Sequence, residues 1–123
     1  MELVYNKMTA LRNVLIGATM LVSASNVFAH VKLESAIPGI NASIVNQPKN
    51  ITLNFAGEVM LMNVKLLDTQ RTDIPLNYQV SHDLKKSFKF AVPQLKKGKY
   101  TVAWSTMGSD GHNMSGEYTF TIK

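Results

Sequence analysis

Tyr100-Thr101-Val102-Ala103-Trp104 decides the fold class. Successive side chains on an extended segment point to opposite sides, so Tyr100, Val102 and Trp104 share one face. The same period of two recurs in Ile51, Leu53 and Phe55, in Phe88, Phe90 and Val92, and in Tyr118, Phe120 and Ile122. Val31 and Leu33 alternate with Lys32 and Glu34. Ala56-Gly57-Glu58 breaks a run that resumes as the apolar stretch Val59 to Leu67, and Ile74 to Val80 reads as a weaker strand. Turns fall at Pro38-Gly39, at Gln47 to Asn50, at Asp68 to Asp73 and at Pro93 to Gly98, and Ser105 to Ser115 reads as a loop. No long helical pattern follows residue 30. About seven short strands in roughly 90 residues predict an all-β, immunoglobulin-like sandwich of antiparallel strands, each sheet with one wet face.

Ahead of this domain stands a different kind of sequence. Lys7 and Arg12 form a basic front, Val14 to Val22 an apolar middle, and Val27-Phe28-Ala29 a small-x-small cleavage site. The apolar run falls short of the roughly 20 residues that span a bilayer. Residues 1–29 therefore read as a cleaved secretory signal, against the alternative of an uncleaved membrane anchor. Cleavage after Ala29 leaves residues 30–123 as one domain beginning with His30.

Composition excludes several function classes. The chain has no cysteine, so an exported domain is held by packing alone and has no thiolate for metal or redox chemistry. Removing residues 1–29 takes away two of the thirteen Lys and Arg and one of the eight Asp and Glu, leaving a net charge of +4. Lysines at 85, 86, 89, 96, 97 and 99 suit solvated strand edges and turns. They lack the interleaved aromatics of a nucleic-acid platform. No Ser-His-Asp set sits in a recognisable nucleophile motif.

The residues that can carry chemistry lie at the two ends of the mature chain. A free amino-terminal His30 offers two nitrogens, the α-amine and the ring, in one chelate. Asp110-Gly111-His112 offers a carboxylate and an imidazole, which face the same way if the segment is extended. Nitrogen and oxygen donors of this kind suit Cu(II), whereas Ca(II) takes more oxygens. The structural alternative for Asp110 is a turn-capping aspartate. Met60 and Met62 share parity and can form a soft pair, although core packing is the better reading. His82, in Ser81-His82-Asp83, reads as a surface turn histidine.

Taken together, these segments resemble the CopC-type periplasmic copper-binding proteins, including their short YobA-like members. The resemblance is carried by His30-Val31-Lys32-Leu33, by Ile51-Thr52-Leu53-Asn54-Phe55 and by a C-terminal block. That block is Gly98 to Trp104, Ser109-Asp110-Gly111-His112 and Gly116-Glu117-Tyr118-Thr119-Phe120. The resemblance implies a Greek-key sandwich in the periplasm that binds Cu(II); one ion per chain and a monomer are the accompanying expectations. The ligands would be His30, through amine and ring, Asp110 and His112, in an arrangement like a histidine brace. It further implies a carrier rather than a catalyst, working in some members beside an inner-membrane CopD-type permease. The methionine-rich Cu(I) loop of longer members has no counterpart here, because Asp68 to Lys86 contains no methionine. Two other classes compete: a small brace-type copper oxidase or oxygenase, and an immunoglobulin-like structural module without metal.

Overall fold

β3, Asn50–Leu67, is the axis of the molecule. This computed structural model describes residues 31–123; the expected signal segment, 1–29, and His30 lie outside the described residues. All regular structure among the described residues is strand, as the alternation predicts. The strands are β1 Leu33–Ile37, β2 Ser43–Ile44, β3, β4 Asp73–Ile74, β5 Lys85–Ala91, β6 Gly98–Gly108 and β7 Asn113–Ile122.

The two runs separated by Ala56-Gly57-Glu58 are one continuous strand, not two. The first half of β3 pairs with β1 on one edge and β5 on the other; the second half pairs with β6 and, near its end, β4. Small Ala56 and Gly57 let the chain pass through the region where the ladder with β5 shifts register, between Asn54 and Val59. β3 thus belongs to both layers of the sandwich. Beyond β6 come β7 and then β2. The β2–β7 pair is parallel, with Ser43 opposite Thr121 and Ile44 opposite Ile122, an exception to the antiparallel expectation.

Ile51, Leu53, Phe55, Val59 and Leu61 point inward from β3 and meet Phe88 and Phe90 of β5 and Tyr100 and Val102 of β6. Ile51, Leu53 and Leu61 are fully buried, worth about 1.5–3 kcal/mol each. Phe55 ties the layers together, edge-on to Phe88 at 6.0 Å and to Trp104 at 6.1 Å. Trp104 stands opposite Gly116 in the β6–β7 register and lies over it. A Cβ at residue 116 would sit 2.6 Å from the indole, so the glycine is required by that close approach. Tyr118 is buried beside them with its hydroxyl unpartnered, and burial pushes its pKa up.

Two sequence readings change. Ile74 to Val80 is strand only at Asp73–Ile74; Tyr78 instead anchors the following segment, its hydroxyl donating to the Leu61 carbonyl at 3.0 Å and its ring 5.9 Å from Phe90. Met60 and Met62 are half-buried and stand outside the core cluster. They fall on the side of β3 opposite to Val59 and Leu61.

Candidate metal centre

The loop expected over Ser105 to Ser115 is mostly ladder. β6 and β7 stay paired up to Met107 and Asn113, and the connection is a tight hairpin. Gly111 N–H donates to the Gly108 carbonyl at 3.0 Å, and Gly108 N–H donates to the His112 carbonyl at 3.0 Å. Ser109, Asp110 and Gly111 form a three-residue loop whose last residue has φ 84°. This is a turn followed by a left-handed residue, for which glycine is the default.

The turn brings Asp110 and His112 into contact. His112 N–H donates to Asp110 Oδ1 at 3.0 Å, and His112 Nδ1 lies 2.8 Å from Asp110 Oδ2. The sequence expectation that the two side chains share a direction holds, but a turn achieves it, not an extended segment. First the ring contact and then the backbone N–H hold the Asp110 carboxyl below the usual carboxylate range. Both side chains are mostly exposed, 65% for Asp110 and 77% for His112. The pair therefore adds little to stability and stays open to an ion from solvent. With Nδ1 turned to the carboxylate, Nε2 is the nitrogen left to meet a metal. A carboxylate behind a ligating imidazole fixes the ring and raises its basicity.

Gly108 is a residue of this hairpin that sequence reasoning missed. A Cβ there would come 2.9 Å from Asp110 Oδ1, so the absent side chain leaves room for the carboxylate. The signal was present in the chain, as a glycine directly before Ser-Asp-Gly.

The start of the domain is near the same stretch of β3. Ala56 N–H donates to the Lys32 carbonyl at 2.9 Å, and Val31 packs where a Cβ of Gly57 would stand, 3.3 Å away. Two residues on, Val59 pairs with Gly108. β5 runs along one edge of β3 from Asn50 to Val59, so β1 and β6 take successive stretches of the other edge. The chain from Val31 and the Gly108–His112 hairpin are therefore neighbours along one edge. His30 itself is outside the described residues. Among the described residues no three His, Asp or Glu side chains cluster, and His82 is exposed in the connection between β4 and β5.

A β-sandwich whose central strand serves both layers, with an Asp-Gly-His hairpin at one end, defines the class of domain. The CopC domain family matches residues 33–123, and the chain belongs to that family. Protein YobA of Escherichia coli strain K12 is 33% identical over 117 residues, covering 85% of this chain and 87% of YobA. Copper resistance protein C of Escherichia coli is 26% identical over 119 residues, covering 89% of this chain and 94% of its own. Among solved structures, CopC from Methylosinus trichosporium OB3b superposes with a TM-score of 0.65 at 27% identity, covering 76% of this chain and 94% of that one. PcoC, a methionine-rich copper resistance protein from Escherichia coli, gives 0.65 at 29% identity, covering 77% of this chain and 100% of that one.

Proposed function

We propose that this chain is a periplasmic copper-binding protein that captures one Cu(II) for storage, buffering or delivery in copper resistance and carries out no reaction on it. Residues 1–29 are removed on export, and the ligands are the His30 amine and ring, the His112 imidazole and the Asp110 carboxylate. The hairpin geometry carries this reading. It presents an imidazole oriented by a carboxylate, beside the stretch of β3 where Val31, the residue after His30, packs. Kinship with a copper resistance protein and with the copper resistance protein PcoC supports it from outside the site.

The donor set fits the ion. An amine and two imidazoles with one carboxylate make the nitrogen-rich tetragonal set that Cu(II) favours. The Asp110 charge offsets part of the ion's charge and helps fill its coordination shell, which suits carriage better than turnover. A CopD-type permease in the inner membrane is the partner to which such a carrier would hand copper.

Mass spectrometry of the exported protein, with and without copper, tests both halves of the proposal. The expected product starts at His30 and carries one copper. A product starting elsewhere overturns the ligand set. So does undiminished Cu(II) affinity in a protein with one residue added before His30, since that addition turns the amine into an amide.

A further inference from the structure

Five large aliphatic side chains stand exposed among the described residues, and three of them, Ile37, Ile40 and Val45, fall within one short stretch of chain. Ile37 is 64% exposed and Val45 74%. Both line a shallow, open groove with Pro38, Ile44, Gln47 and Pro48. Ile37 stands opposite Thr52 near the start of β3, and Ile44 opposite Ile122 at the finish of β7, so the groove lies at that end of the sandwich. From Ser35 to Pro48 no residue carries a charge. Single apolar side chains on a surface need no explanation, whereas a contiguous patch with a polar rim marks a contact surface.

The rim of this patch is cationic. Lys49 follows Pro48 directly, and its carbonyl accepts from Val92 N–H at 3.0 Å. Gln47 Nε2 donates to the Leu95 carbonyl at 2.6 Å, which ties the groove to the connection carrying Lys96 and Lys97. All three lysines are exposed. No acidic residue occurs between Glu34 and Glu58 or between Asp83 and Asp110, the two stretches that build this end. Lys99 lies apart from the set, since its carbonyl accepts from Thr69, the residue after Asp68.

We propose that this end of the domain docks on an anionic phospholipid bilayer. Ile37 and Val45 enter the boundary between headgroups and acyl chains, while Lys49, Lys96 and Lys97 meet the phosphates. Burial of apolar area and attraction of lysines to the negative surface act together there. The aliphatics stand out from the surface, which suits insertion; a peptide anchor needs a recess to fill. The Asp110–His112 hairpin is at the other end of β6 and β7. About ten residues at roughly 3.4 Å each put the two ends roughly 30 Å apart, so a docked domain keeps the hairpin clear of the bilayer. The surface uses none of the proposed metal ligands and stands or falls without them.

The test is co-sedimentation of the exported protein with vesicles of phosphatidylethanolamine and phosphatidylglycerol, against vesicles of phosphatidylcholine alone. Binding should appear on the anionic vesicles and weaken as salt is raised. The double variant Lys96→Gln, Lys97→Gln should weaken it by about thirtyfold, each lysine near an anionic surface being worth about fivefold. Ile37→Ser with Val45→Ser should weaken it by about tenfold or more. Both pairs are exposed, so thermal unfolding should stay in place and monitors the fold separately. Lys85→Gln with Lys86→Gln, at the other end of β5, should bind as the parent does. No binding to the anionic vesicles, or equal losses in the two lysine pairs, would overturn the surface. Loss in Lys96→Gln, Lys97→Gln with none in the serine variant would assign the lysines to an acidic protein and overturn the bilayer.

Discussion

Two aspartates in this domain build turns by the same chemistry and end with different work. Asp68 closes the turn between β3 and β4: its Oδ1 accepts from Gln70 N–H and Thr72 N–H, both at 2.9 Å. Asp110 begins the same way, Oδ1 accepting from the backbone of His112, but its Oδ2 faces the imidazole of that residue. Each turn also has a left-handed residue, Arg71 at φ 61° and Gly111 at φ 84°. Capping the turn through one oxygen thus does not exclude a separate role for the other. What separates the two aspartates is whether the second oxygen finds a side chain that can bind something else.

The largest break in that comparison is His112→Ala, which leaves Asp110 with only structural work. Cu(II) affinity, measured by competition with a chelator, should fall by more than the about 10–100-fold typical for loss of an outer-shell partner, because the proposed direct ligand is gone. Next comes Asp110→Asn, expected to lower Cu(II) affinity by less than His112→Ala does while chemical denaturation barely shifts, the pair being exposed. Asp68→Ala should do the reverse, costing about 0.5–2 kcal/mol, as loss of a comparable side-chain cap does, with copper affinity unchanged. Equal copper losses in the two aspartate variants would remove the distinction.

Much of this contrast was readable in the chain before the fold was known. Asp-Gly-His named two side chains that do meet, and the period-two runs at Ile51–Phe55, Phe88–Val92 and Tyr118–Ile122 named the inward faces. Side-chain alternation is local, so residues alone report it. The continuity of β3 was not readable, because Ala56-Gly57-Glu58 looks like a break when the pairing partners on each side are unknown. Nor was the two-residue β2, since Ser43 and Ile44 are strand only through β7, a distant partner. The methionines misled for the same reason. Parity puts Met60 and Met62 together, but only the register with β6 shows which side of the sheet they occupy and adds Met107. His112 could be nominated from sequence, yet its orientation depends on a hairpin whose length came out far shorter than the turn residues suggested.

A smaller effect comes from the glycines that shape the second turn. Gly108→Ala places a Cβ within 2.9 Å of Asp110 Oδ1, which is the free end of an exposed side chain. The carboxylate should swing aside at little cost to folding. Copper affinity should then fall, by less than in Asp110→Asn. Gly111→Ala has open space around it but a φ of 84°, so its cost is conformational, about 1–2 kcal/mol. Thermal unfolding and copper titration of the two variants separate room for the ligand from permission for the turn. If Gly108→Ala bound copper as tightly as the parent, the carboxylate position would not matter.

The smallest effect is the titration of Asp110 itself. Its carboxyl is held below the ordinary value by the His112 ring and then by the His112 backbone N–H, so the folded state favours the ionised form more than the unfolded chain does. A depressed folded pKa contributes stability that is present above the unfolded value, about 3.9, and fades as pH falls through the folded one. The contribution is slight because the group is exposed to solvent. From neutral pH down to the ordinary carboxylate range, Asp110 therefore stays charged. On the proposed ligand set, loss of copper over that interval is expected to come from protons competing for the nitrogen donors. A ¹³C NMR titration of the metal-free protein should place the Asp110 carboxyl midpoint below the unfolded value and move it upward in His112→Ala. If the midpoint did not move on removing the ring, the second oxygen of Asp110 would have no partner in solution, and nothing in the hairpin would set it apart from the turn at Asp68.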